Sequence, residues 1–189
     1  MEQILEKRFK EIEQVLRDTL EQSAETISRA GKMLLSAGLE RRGIFLFGNG
    51  GSAADAQHVA GELNGRFLKE RRPLKAQALV CDAATMTCIA NDYGYGQVFV
   101  RQLQANAGPG EVAFGFSTSG NSENVVEAFK AAKAIGMETI AMTGKGGGAL
   151  ADLADVLIEI QSSFTPHIQE AGMVVYHCLC EQVDNAFNE

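Results

Sequence analysis

Five short apolar runs between residues 43 and 160 constrain this chain's fold more than any other feature. They are GIFLFG (43–48), AQALVC (76–81), VAFGFS (112–117), METIAM (137–142) and DVLIEI (155–160). Each has the length of a strand, and most are apolar almost without alternation, the pattern of a strand covered on both faces. Helix-length segments separate them at roughly 51–64, 97–107 and 121–135, with a short one near 148–153 and a long one from about 166 to 187. Strands alternating with helices build a parallel sheet, because each return crossover needs a helix. The expected fold is α/β, a flavodoxin-like three-layer α/β/α sandwich with a five-stranded parallel sheet.

The first forty residues come before that sheet and read as two helical stretches. Ile4, Phe9, Ile12, Leu16 and Leu20 mark the first, and Ile27, Met33 and Leu34 the second, which stops near Gly38. With 189 residues and no linker or repeat, a single domain is expected. Residues 1–40 would be N-terminal helices that pack on the domain or on a second subunit, and 41–189 the α/β core.

Charge and cysteine usage narrow the functional classes. A net charge of −7 argues against a nucleic-acid surface, and the basic stretch LKERRPLK (68–75), broken by Pro73, reads as a solvated loop. Cys81, Cys88, Cys178 and Cys180 form no CxxC pair, so they read as reduced, mostly buried thiols of a cytoplasmic protein. The charged start MEQILEKRFK lacks a signal-peptide core, and no run of eighteen apolar residues could cross a membrane.

In a sheet of this kind ligands gather beyond the carboxyl ends of the strands. Those ends are chemically unusual here: GNGGS (48–52), CDAAT (81–85), STSGNSEN (117–124) and TGKGGG (143–148). The third places the hydroxyls of Ser117, Thr118, Ser119 and Ser122 around the start of a helix. Unpaired N–H groups and the helix dipole favour an anion there, and hydroxyls add donors for phosphate oxygens. A serine-capped helix needs only one such residue. TGKGGG lacks the Ser or Thr that follows the lysine of a phosphate-binding P-loop, and GNGGSA only approximates a dinucleotide fingerprint, with Asp82 too far along the chain for the ribose.

GNGGSAADAQHVAGEL (48–63) also carries His58 and Glu62, four residues apart and so on one helix face. The last helix holds Gln169 and His177, eight residues apart on neighbouring stripes of one side. Two histidines, a carboxylate and an amide can assemble a mixed nitrogen–oxygen metal site suited to zinc. Each residue alone also has a plain reading as packing or surface, and spacing does not prove that the two helices meet.

GNGGSAADAQHVAGELNGRF, IANDYGYG, STSGNSENVV, TGKGGG and HIQEAGMVVYH, in that order along nearly the whole chain, resemble the bacterial phosphoheptose isomerases. These are the sedoheptulose 7-phosphate isomerases of the sugar isomerase (SIS) domain superfamily. The resemblance implies a homotetramer that converts sedoheptulose 7-phosphate to D-glycero-D-manno-heptose 7-phosphate, the first step of ADP-heptose synthesis for lipopolysaccharide. It implies zinc at His58, Glu62, Gln169 and His177, with Glu62 and His177 as the acid–base pair. It implies substrate contacts at Asn49, Gly50, Gly51, Glu62, Asn91, Asp92, Ser117, Thr118, Ser119, Ser122 and Gln169, with the phosphate on the serine-rich turn.

The sequence departs from some of these relatives at His167, where they carry Arg; following Pro166, it reads as a helix-start residue. The main alternative is a non-catalytic SIS protein that binds the replication initiator, against which the presence of both Glu62 and His177 argues. A sugar-phosphate-sensing module of a transcription regulator is a second alternative, weakened by the lack of a DNA-binding domain. A dinucleotide site is the third.

Overall fold

All five apolar runs become strands of one sheet: β1 (Ile44–Gly48), β2 (Ala76–Ala78), β3 (Val112–Ser117), β4 (Glu138–Gly144) and β5 (Val156–Ile160). Their order is β2-β1-β3-β4-β5 and every neighbouring pair is parallel. The computed structural model describes residues 1–187, so the last two positions of the expected 41–189 core lie outside the described residues.

Helices cover both faces. The α-helices are α1 (Glu2–Leu39), α2 (Gly51–Asn64), α3 (Ala83–Tyr93), α4 (Val100–Asn106), α5 (Glu123–Ile135) and α6 (Thr165–Ala186). Side chains alternate across the pleat of β1, so Ile44 and Leu46 join one core with α1, α2 and α6, whereas Phe45 and Phe47 join another with α3, α4 and α5. Phe47, Phe99, Phe114, Phe129 and Tyr176 are fully buried, each stabilising the fold by about 1.5–3 kcal/mol relative to exposure.

Several local expectations change. The two N-terminal stretches are one continuous 38-residue helix, because no proline or turn sequence interrupts them. This α1 runs beside edge strand β5, where the Ser23 hydroxyl donates to the Glu159 carbonyl and Thr19 Oγ1 accepts from the Gln161 N–H. β2 stops at Ala78, not residue 81, and α3 follows where no helix is expected. Asp82 begins α3 by accepting from the Ala84 and Thr85 N–H groups, and the Thr85 hydroxyl bond first, then these, hold its carboxyl below the usual range. The helix expected at 97–107 is α4, entered through a 3-10 turn at Tyr95–Gln97; the one near 148–153 is only a 3-10 turn, Gly148–Leu150.

The basic stretch is not simply solvated. Arg71 is buried: its Nε donates to Asp184 Oδ1 at 2.7 Å, and its Nη2 to the Glu62 carbonyl at 2.7 Å. Nor are the thiols mostly buried, since Cys81, Cys88 and Cys178 are exposed. Cys180 is the buried one, and burial pushes its thiol up to about 12, which leaves it inert as a nucleophile. His167 does lie in the first turn of α6, buried, with Arg8 Nη1 at 3.0 Å from its Nε2.

Candidate active site

The sheet order reverses between β1 and β3, and the two loops leaving these strands face each other across that crevice. Gly48 ends β1 where a Cβ would come within 2.7 Å of the Ser52 carbonyl, so only glycine lets the chain turn so tightly into α2. Asn49 precedes Gly50, whose φ of 56° starts the helix, and the Asn49 carbonyl accepts from the Ser52 N–H. Across the crevice, Ser122 is the N-cap of α5, and its Oγ lies 3.0 Å from Ser117 Oγ. Ser119 Oγ accepts from the Asn121 N–H at 3.1 Å. Ser117 is buried, Thr118 half-buried and Ser119 exposed, so the turn has both a buried anchor and an open rim. Asn49 and Asn124, from the two sides, exchange amide hydrogen bonds of 2.8 and 2.9 Å, and the Tyr95 hydroxyl donates to Asn49 Oδ1 at 3.0 Å.

Two turns along α2 from Gly51, the α2–α6 contact carries the titratable cluster. His58 Nε2 lies 3.2 Å from Glu62 Oε1 and 3.4 Å from His177 Nε2. Donor atoms of all three residues fall within 4.8 Å of one another. A tetrahedral zinc site with bonds of about 2.0–2.1 Å separates adjacent ligand atoms by roughly 3.3 Å. The donor types and both short spacings therefore fit that metal. Phe67 stacks on the His177 ring at 5.1 Å between centroids, shielding one side.

A further pair stands behind His58. The Tyr176 hydroxyl is 3.1 Å from His58 Nδ1 and donates to Asp55 Oδ1 at 3.4 Å. One hydroxyl has one proton: given to Asp55, it leaves the oxygen to accept from His58 Nδ1–H, and the lone pair of Nε2 then faces Glu62 and His177. Burial, only partly opposed by the Tyr176 bond and by His58, pushes the Asp55 carboxyl up to about 6. Burial and the nearby Asp55 push the Tyr176 phenol well above its ordinary range, so it stays a neutral hydroxyl.

The structure therefore brings together His58, Glu62 and His177, and separately Asn49, Gly50 and Gly51 with Ser117, Thr118, Ser119 and Ser122. Gln169 sits between the groups: its side-chain amide covers Gly51, and it shares a small cavity with Ser52, Asp55 and Thr118. Along α6 it lies roughly 12 Å from His177. Asn91 and Asp92 are exposed at the end of α3, with Asn91 Nδ2 donating to Asp92 Oδ1 at 2.8 Å. Sequence reasoning passed over Asp55, Tyr176, Tyr95, Asn124 and Arg71. Asp55 alone left a signal, one turn before His58 on the same helix face.

The profile of the SIS domain family matches residues 8–144. A probable phosphoheptose isomerase of Thermoplasma acidophilum is 47% identical over 178 residues, 94% of this chain and 98% of the relative. The phosphoheptose isomerase of Aquifex aeolicus is 45% identical over 180 residues, covering 95% and 94%. A solved phosphoheptose isomerase from Francisella tularensis superposes with a TM-score of 0.93 at 33% identity, over 97% of both chains. One from Neisseria gonorrhoeae gives 0.92 at 37%, over 97% of this chain and 98% of the other. With SIS-domain residues matched over most of its length and near-full-length likeness in sequence and fold to these enzymes, the chain belongs to the phosphoheptose isomerase family of SIS-domain proteins.

Proposed function

We propose that the chain isomerises sedoheptulose 7-phosphate to D-glycero-D-manno-heptose 7-phosphate through an enediol, in the cytoplasm, as the step that opens ADP-heptose synthesis for lipopolysaccharide. The observation that carries this reading is the convergence of one carboxylate and two imidazoles, His58, Glu62 and His177, within 4.8 Å. Ketose-to-aldose conversion removes a proton from C1, returns one to C2, and moves a hydroxyl proton from O1 to O2. Glu62 Oε1 faces His58, so Oε2 is the oxygen that takes and returns the carbon-bound proton. His177 moves the hydroxyl proton. The turn from Ser117 to Ser122 holds the phosphate with hydroxyls and α5 N–H groups, while Asn49, Gly50, Gly51, Asn91, Asp92 and Gln169 contact the sugar.

His58, Glu62 and His177 would hold a zinc ion, and Gln169 would join them with its amide turned away from Gly51. When bound, such an ion supplies Lewis acidity toward the substrate carbonyl. The working molecule is a homotetramer. Exposed Leu20 on α1 and Val174 on α6 flank an apolar cleft between these helices, and Leu5 and Phe9 extend that face, as a subunit contact requires. Residues from a neighbouring subunit then close the crevice between the serine turn and the cluster.

Turnover of sedoheptulose 7-phosphate by the purified protein, with and without added zinc, tests this reading. Wild-type protein should form the aldose, and Glu62→Gln should lower kcat about a hundred- to ten-thousandfold. Folded, zinc-supplied wild-type protein that forms no product would overturn the assignment.

A further inference from the structure

Three of the unusual stretches of the sequence meet at Asn49, a proposed sugar contact, and two of the residues that hold it there, Asn124 and Tyr95, have no part in the proposed chemistry. GNGGS supplies Asn49, IANDYGYG supplies Tyr95 and STSGNSEN supplies Asn124. Asn49 Nδ2 donates to Asn124 Oδ1 at 2.8 Å and Asn124 Nδ2 to Asn49 Oδ1 at 2.9 Å, a two-bonded amide pair. The Tyr95 hydroxyl gives Oδ1 a second donor at 3.0 Å. Asn124 is 3% exposed, fixed in the first turn of α5, whereas Tyr95 is 55% exposed on its 3-10 turn.

Counting donors and acceptors shows what this arrangement leaves over. A carbonyl oxygen has two lone pairs, and both of those on Asn49 Oδ1 are taken. The Nδ2 group has two protons; one is given to Asn124, and the other has no partner among the described residues. Asn49 is half-buried at the mouth of the crevice between β1 and β3. It thus keeps one donor for a ligand and withholds its acceptor. The pair is also uncharged, which matters beside a turn suited to phosphate: a carboxylate in either position would repel a dianion at short range.

Resting on the sugar-phosphate reading above, we propose that Asn124 and Tyr95 are positioning residues, which together turn the Asn49 amide so that its remaining N–H donates to an oxygen of the bound sugar phosphate. Neither touches the reacting atoms. They act through Asn49, and by joining the three loops they hold that donor in register with the serine turn. A fixed donor recognises an acceptor oxygen in ground state and transition state alike, so its loss belongs in KM more than in kcat.

The test is a double-mutant cycle on the full-length protein, with kcat and KM for sedoheptulose 7-phosphate and a thermal melt for each variant. Tyr95→Phe removes one oxygen from an exposed ring. We expect KM to rise about five- to tenfold, the range of one well-placed hydrogen bond, with kcat within twofold and Tm unchanged. In an Asn49→Ala background the same substitution should have no further effect on KM, because the group it orients is gone. Asn124→Ala should raise KM at least as much as Tyr95→Phe, and it too should add nothing to Asn49→Ala. A Tyr95→Phe protein with wild-type KM would overturn the inference. So would an effect that persists in full beside Asn49→Ala, or a fall in kcat and Tm with KM unmoved, which marks a merely structural bond. A wild-type protein with no turnover defeats the isomerase reading and this inference together, whereas normal wild-type turnover with an indifferent Tyr95→Phe defeats this inference alone.

Discussion

His58 has two ring nitrogens, and the structure gives them separate tasks. Nδ1 meets the Tyr176 hydroxyl, and Nε2 faces Glu62 and His177. A ligand histidine held this way keeps its tautomer and its ring angle, and loss of such a partner typically weakens metal binding ten- to a hundredfold. Tyr176→Phe should therefore lower zinc affinity by about that factor in a chelator competition, with the ring's packing retained; unchanged affinity would remove Tyr176 from any part in the site. The two halves of this arrangement differed in legibility. His58 and Glu62 could be paired from their spacing, because a helix returns to the same face after four residues. Tyr176 could not, because its bond to His58 spans 118 residues and exists only where α2 and α6 pack. Gln169 shows the converse: its place on the α6 side was readable, but not that its amide rests over Gly51.

At the level of elements, the strands were legible because burial on both faces demands apolar runs, while α3 was not. Its sequence AATMTCIANDY mixes threonines and a cysteine among small residues, and only Ile89 is buried, so no apolar stripe advertises a helix. The clue is Asp82, which caps the helix but directly follows the apolar run and so reads as the end of a strand. The serine-rich turn depends on a second element that its own sequence does not reveal. Gly120 has a φ of 66°, and a Cβ there would collide with the Gly147 carbonyl. Ala149 N–H donates to Asn121 Oδ1, and Leu150 N–H to the Gly120 carbonyl. TGKGGG, through the Gly144 N–H on the Thr118 carbonyl, and the 3-10 turn that follows it thus brace the proposed phosphate turn from behind. Gly120→Ala should lower Tm by several degrees, since left-handed strain and the clash each cost about 1–3 kcal/mol, and should abolish detectable phosphate-sugar binding by calorimetry. A variant with native affinity would show that the brace is dispensable.

Across the whole molecule, the buried pair of Arg71 and Asp184 ties the loop after α2 to the last turns of α6. Asp184 Oδ2 accepts from the Leu68 and Lys69 N–H groups, while Arg71 reaches the carbonyls of Glu62 and Leu63. Burial alone would raise the Asp184 carboxyl; the Lys69 and Leu68 N–H groups and Arg71 outweigh it and hold the group below the usual range. A carboxylate with its native value below its unfolded value adds stability above the unfolded pKa of about 3.9, and loses it as pH falls through the native value. Asp184→Ala should cost about 3–5 kcal/mol at neutral pH, the penalty for leaving one buried charge without its partner. For a chain of this size that is a Tm lower by about 10 °C. The difference from wild type should hold from pH 8 to pH 5 and shrink below about pH 4; a gap independent of pH would assign the loss to packing instead.

That same pair joins positions 113 residues apart. Closing so long a loop is entropically expensive and comes late in the assembly of a chain. Until α6 docks, the turn that carries Glu62 has a guanidinium at its back with no carboxylate to meet it. A partly folded chain can thus build its sheet and its glycine turn and still lack the clamp on the turn that carries Glu62. His177 itself lies on α6, so the proposed acid–base pair is complete only once the last helix has docked.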